Sequence, residues 1–103
     1  MVIKISMNIL QKNVKSKNND GWTPLHYASR YGYLDIVEYL TKECKCDVES
    51  KDNDGETPLH IASKYGIRDI VQYLTEECHA KITDRIIKAA DNSEIKDYLR
   101  SKK

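Results

Sequence analysis

Apolar residues recur along this chain in short blocks at helical spacing, divided by turn residues. Leu25, Ala28 and Ser29 form a narrow stripe, followed by a wider one of Ile36, Val37, Tyr39 and Leu40. Asp20-Gly21 and Asp54-Gly55 are tight-turn dipeptides, because glycine accepts positive φ and aspartate tolerates it. Each runs into Thr-Pro, where threonine can cap a helix and proline fits its first position. The pattern predicts a helix over Pro24–Tyr31, ended by Gly32 as a left-handed cap, and a second from Asp35 to Lys42 or Glu43. The segment Cys44–Ser50 connects to a second pair over Pro58–Tyr65 and Asp69–Thr75, with Gly66 between them. Asp84 is expected to cap a helix over Arg85–Ala90, and Asp91-Asn92-Ser93 to turn the chain into a last helix over Glu94–Arg100 with Ile95, Tyr98 and Leu99 inward. At the N-terminus, Ile3, Met7 and Leu10 suit a helix face, while Ile3, Ile5, Met7 and Ile9 alternate as in a strand. The pattern leaves both open, and position within the larger pattern favours the helix.

That larger pattern is a repeat. Asp20-Gly21-Trp22-Thr23-Pro24-Leu25-His26 returns 34 residues later as Asp54-Gly55-Glu56-Thr57-Pro58-Leu59-His60, and 18 of 25 positions agree from Asp20 to Cys44 and Asp54 to Cys78. A fixed period of this size marks a stacked array whose units cover one another's apolar faces. No predicted helix is long enough to be stable alone. The chain therefore divides into a partial unit over 1–17, full units over 18–51 and 52–84, and a degenerate capping unit over 85–103, all in one domain. Packing should hold core positions constant, so the differing positions are expected on exposed or adjustable sites. These are Trp22/Glu56, Tyr27/Ile61, Arg30/Lys64, Tyr33/Ile67, Leu34/Arg68, Glu38/Gln72 and Lys42/Glu76.

Charge refines this picture. Residues 1–19 carry four lysines and no acid, residues 20–80 sum to −6, and residues 81–103 to +3. An acidic middle lacks the basic stripe of a phosphate-backbone reader, so nucleic acid is not an expected partner. No apolar run approaches the roughly 18 residues that span a membrane, and Met1–Ser6 has no basic region leading into an apolar stretch, so no signal peptide is read. Three cysteines make an odd number and no disulfide framework. The expected setting is reducing and intracellular, with the cytoplasm the simplest choice.

Candidate chemistry is sparse. His26 and His60 hold equivalent positions three residues after the capping threonine, where a bond back to the first helical turn accounts for both. Cys44, Cys46, Cys78 and His79 offer zinc-type ligands. Equivalent residues of adjacent units, however, stand roughly 8–10 Å apart, too far to share an ion or close a disulfide. No phosphate-binding glycine loop and no nucleophile motif is present. We expect no cofactor, no metal and no catalysis.

Gly21–Ala28 and Gly55–Ala62, each reading Gly-x-Thr-Pro-Leu-His-x-Ala, resemble the ankyrin-repeat signature, as do Gly32, Gly66, Asp35-Ile36-Val37 and Asp69-Ile70-Val71. The period of 34 exceeds the family's usual 33. The resemblance implies a mainly α solenoid, each unit a β-turn finger and two antiparallel helices, that recognises another protein through the fingers and the exposed side of the first helix. By position, the implied contact residues are Asn19, Asp20, Trp22, Arg30 and Tyr31, with Asn53, Asp54, Glu56, Lys64 and Tyr65. Trp22 with Arg30, Tyr31 and Tyr65 is the expected anchor cluster, since Trp, Tyr and Arg dominate binding hot spots; Trp22 folded back over the partial first unit is the equal alternative. The acidic middle predicts a partner with basic patches. Two rivals remain: self-association through Ile3, Ile5 and Ile9, and a small-ligand or nucleotide site built on Trp22, Tyr31 and basic residues.

Overall fold

The computed structural model of the protein describes residues 16–103, over which the chain forms six helices. They are α1 Pro24–Tyr31, α2 Leu34–Lys42, α3 Pro58–Lys64, α4 Arg68–Glu76, α5 Asp84–Ala89 and α6 Ser93–Lys102. No strand occurs among the described residues, so the fold is mainly α, as the pattern predicts. The alternation of Ile3, Ile5, Met7 and Ile9 lies outside the described residues, as does the helix reading for that segment.

Local chemistry sets the start of the first helix in each unit. The Thr23 hydroxyl accepts from the His26 amide, and Pro24 opens α1 where a missing N–H costs nothing. Gly32 closes α1 at φ 74°, in the left-handed region. Thr57 repeats this cap for α3. The third unit departs from the prediction in one informative way: its cap is Thr83, not Asp84, which is the first residue of α5. Thr57 follows Thr23 by 34 residues, but Thr83 follows Thr57 by 26. The eight missing residues are the span that makes a finger in the other units, so the third unit has two helices and no finger.

The helices stack in two layers. α1, α3 and α5 lie side by side, each paired with its own second helix, and α2 packs on α4. Leu25, Ala28, Val37 and Leu40 join Leu59, Ala62, Ile70, Val71 and Leu74, then Ile86, Ile87, Ile95 and Leu99, in one continuous buried seam. Fully burying a side chain of this size contributes about 1.5–3 kcal/mol, and such contacts offset the ordering entropy of helices too short to form alone. Ser29 and Ser63 lie in the same seam with no hydrogen-bond partner for either hydroxyl.

The outer layer carries a polar link that the sequence pattern does not announce. The Thr41 hydroxyl meets the Tyr73 hydroxyl at 2.7 Å, and Thr75 meets Tyr98 at 2.9 Å. Each rung ties the second helix of one unit to that of the next.

Candidate functional site

The fingers are built by one side chain each. Asn18 Oδ1 accepts from the Asp20 and Trp22 amides at 2.9 Å. Its equivalent Asp52 accepts through Oδ1 from Asp54 and Glu56, at 2.9 and 2.8 Å. The second finger then seats on the first unit. The Asn53 amide donates to the Asp20 carbonyl at 3.0 Å, Asn53 Nδ2 to the Asn19 carbonyl at 2.7 Å, and Lys17 Nζ to the Lys51 carbonyl at 2.8 Å. Asn19, Asp20, Asn53 and Asp54 are all exposed at these tips.

Trp22 belongs to this junction. Its Nε1 donates to Asp52 Oδ2 at 3.0 Å, and its ring lies edge-on to Tyr27 and stacks on His26, with centroids 4.9 and 6.0 Å away. The side chain is half-buried. Together with Tyr27, Tyr33 and Ile36 it lines a hollow of about 480 Å³. Of the two readings for the Trp22/Glu56 difference, an exposed site or an adjustable one, burial leaves the second: Trp22 is half-buried and Glu56 is only 9% exposed. Its carboxylate lies 3.4 Å from His60 Nε2, 3.7 Å from Lys64 Nζ and 4.0 Å from Arg85 Nη2. The difference has a structural cause. His26 Nε2 reaches the Glu56 carbonyl of the following finger at 2.9 Å, whereas His60 has no following finger and faces the side chain of Glu56 instead.

The histidines serve the scaffold unequally. His26 Nδ1 lies 2.9 Å from the Thr23 hydroxyl and 3.2 Å from its amide, so the bond back to the first turn forms. In the second copy only the His60 amide bonds Thr57, and the ring turns to Glu56. The Glu56 carbonyl can only accept, so the neutral His26 ring carries its proton on Nε2 and accepts at Nδ1. Burial pushes both imidazoles below 6.5, partly opposed by the Glu56 carbonyl and the Asp52 charge at His26 and by the Glu56 charge at His60. Both rings bind fewer protons folded than unfolded, so stability is fully present above the unfolded value of 6.5 and falls as pH drops through it toward the folded values. Urea midpoints taken at about pH 7.5, 6.5 and 5 should therefore decline, and replacing both rings by glutamine should flatten this part of the profile. A profile unchanged by that double replacement would assign the decline to other groups.

Asp52, Asp54 and Glu56 place carboxylate oxygens within 4.8 Å of one another. Backbone amides and Trp22 already bond Asp52, and the His60 ring with the cationic Lys64 and Arg85 surrounds Glu56, so the chain supplies its own counter-groups. Cys44, Cys46 and Cys78 form no disulfide, and all three are half-buried.

A different set of side chains faces water. The large apolar side chains most exposed among the described residues are all tyrosines: Tyr27, Tyr31, Tyr33 and Tyr65. Tyr31, Tyr33 and Tyr65 are 56%, 55% and 41% exposed. The Arg30 guanidinium lies over the Tyr65 ring at 3.8 Å and against Tyr31 at 4.9 Å, so it is held between adjacent units. Tyr33 stacks beside Tyr31 at 6.2 Å, and Lys64 Nζ stands 5.8 Å from Tyr65. The structure thus brings Arg30, Tyr31, Lys64 and Tyr65 together and leaves Trp22 in the finger junction. It adds Tyr33, whose signal in the sequence is its replacement by isoleucine in the second copy.

The architecture is that of a helical repeat array with short fingers. The chain belongs to the ankyrin-repeat family: the family model described as ankyrin repeats (3 copies) matches residues 2–86. Ankyrin repeats are protein–protein interaction modules. No curated protein matches the sequence. The fold recurs in 208 matching chains of solved structures, so function must be argued from the surface, not from the fold. One of them is a chain in the complex of the Bd0816 predatory endopeptidase from Bdellovibrio bacteriovorus with the immunity protein Bd3460. It aligns with a TM-score of 0.80 at 27% identity, over 98% of this chain and 58% of that one. No helix among the described residues is long and apolar enough to cross a membrane.

Proposed function

We propose that this protein is a non-catalytic recognition module that binds a partner protein through Arg30, Tyr31, Tyr33, Lys64 and Tyr65, with Asn19, Asp20, Asn53 and Asp54 at the adjoining fingertips. The observation that carries this reading is the arginine clamped between two exposed tyrosines of neighbouring units. Aromatic rings held in place lose little side-chain entropy on binding, and Tyr and Arg are the residues most often found at hot spots. The complexed neighbour supports a protein as the ligand. Exposed Asp20 and Asp54 would face basic patches on the partner. Glu56 is too buried to join the contact, and Trp22 acts through the finger it pins. Three cysteines outside any disulfide suit a reducing, intracellular setting.

Affinity capture with the wild-type protein and with a Tyr31→Ala, Tyr65→Ala variant tests this. Each tyrosine is expected to contribute at least about 1 kcal/mol, so the double variant should lose its partner by roughly thirtyfold or more in affinity while keeping its helical circular dichroism. A partner held equally well by both proteins rules out this face.

A further inference from the structure

The missing third finger leaves a slot. It measures about 280 Å³ and lies between the second finger and α5, floored by Thr57, His60 and Ile86 and closed at the sides by Gly55, Thr83 and Arg85. One unit earlier, the equivalent place is filled by the second finger, and the residues that hold it are known by name. Lys17 donates to the Lys51 carbonyl, His26 reaches the Glu56 carbonyl, Trp22 bonds the Asp52 carboxylate, and the carbonyls of Asn19 and Asp20 accept from Asn53. The second unit repeats this set except at one place, where Glu56 stands for Trp22. Lys51 stands where Lys17 does, His60 where His26 does, and the carbonyls of Asn53 and Asp54 where those of Asn19 and Asp20 do. Arg85 now satisfies part of it, donating to the Asp54 carbonyl at 2.8 Å and to that of Gly55 at 3.4 Å.

The charge of the slot differs from that of the chain's acidic middle. Lys51, Lys81 and Arg85 surround it and all are exposed, against Glu49, whose carboxylate accepts from the Lys81 amide at 2.8 Å. The Glu56 carboxylate beneath is already faced by His60, Lys64 and Arg85. We propose that this slot docks an acidic β-turn of a partner protein, seated as the chain's own second finger is seated on the first unit. Lys51 would take a turn carbonyl, while Lys81 and Arg85 would take the turn's carboxylates. The contact lies apart from the tyrosine face and rests only on the chain's binding a protein.

The test uses the second finger itself as probe: a capped, cyclised peptide of residues 50–57, which carries three acids and one lysine. Titrated into the isotopically labelled full chain, it should shift the amides of Gly55, Lys81, Thr83 and Arg85 and leave Tyr31 and Tyr65 unmoved. Lys81→Glu should weaken the peptide about tenfold, as reversal of a charge facing its complement does. Arg85→Glu should do so too; Lys81 provides the independent check, because Arg85 also braces the finger. A peptide with its acids replaced by Asn and Gln should bind no better than background. Shifts confined to the tyrosine face, no shifts at peptide saturation, or equal binding by the neutral peptide would each overturn the assignment.

Discussion

Gly21→Ala is expected to destabilise the protein by about 3–4 kcal/mol in urea denaturation, and Gly55→Ala by only about 1–2 kcal/mol. Both glycines occupy the same place in the repeat and share a left-handed backbone, at φ +80° and +77°. A side chain there costs about 1–2 kcal/mol on its own. The remainder comes from the neighbour. A Cβ on Gly21 would lie 2.6 Å from Asn53 Oδ1 and 2.7 Å from the Asn53 amide nitrogen, the backbone of the next finger. The fingers would have to part, losing the Asn53-to-Asp20 bond. A Cβ on Gly55 meets only the end of the Arg85 side chain, at 3.2 Å, which can swing away. Equal losses at the two glycines would show that the fingers do not stack as described.

His26→Ala should lower stability by about 3–5 kcal/mol, a large part of the roughly 5–15 kcal/mol that a chain of this size holds. The ring is fully buried, and its removal leaves the Glu56 carbonyl and the Thr23 amide without their ring partner. Each abandoned buried group costs about 1–3 kcal/mol. His60→Ala should cost about 2 kcal/mol less, because that ring faces a side chain flanked by Lys64 and Arg85, both of which can still pair with Glu56. Thermal melts of the two single variants, compared side by side, decide the matter. A His60 variant as unstable as the His26 one would mean that the ring's fit in the core outweighs the finger it bonds.

Both comparisons turn on a feature that the repeat alone conceals. The copied motif made the turns, caps and first helices legible, because Asp-Gly, Thr-Pro and a helical stripe act through local geometry. The family signature rests on those same residues. What the sequence hid is where each copy stands in the stack. Identity between copies implies equal environments, but the second copy has no finger after it, so His60 faces the Glu56 side chain where His26 finds the next finger's backbone. Position 22/56 therefore differs to meet two neighbours, as an adjustable site and not an exposed one. The loss of the third finger was visible in principle as the shortened distance from Thr57 to Thr83, once Thr83 is recognised as a cap. The tyrosine face was partly legible: Arg30, Tyr31, Lys64 and Tyr65 follow from position, while the packing of Arg30 between rings 34 residues apart, and the company of Tyr33, need coordinates. Asn18 and Asp52, which shape the fingers, could have been found as Asx turns.

The threonine–tyrosine rungs of the outer helices have a bearing on how such an array can lengthen. α4 gives one tyrosine hydroxyl back to Thr41 and one threonine hydroxyl on to Tyr98, so an interior unit carries half of two rungs. A tandem copy of that unit, inserted at its own period, would arrive with both halves and close every rung it opened. Removing the unit on either side of α4 instead opens the rung on that side. By this chemistry the array is built to lengthen by copies of its middle unit.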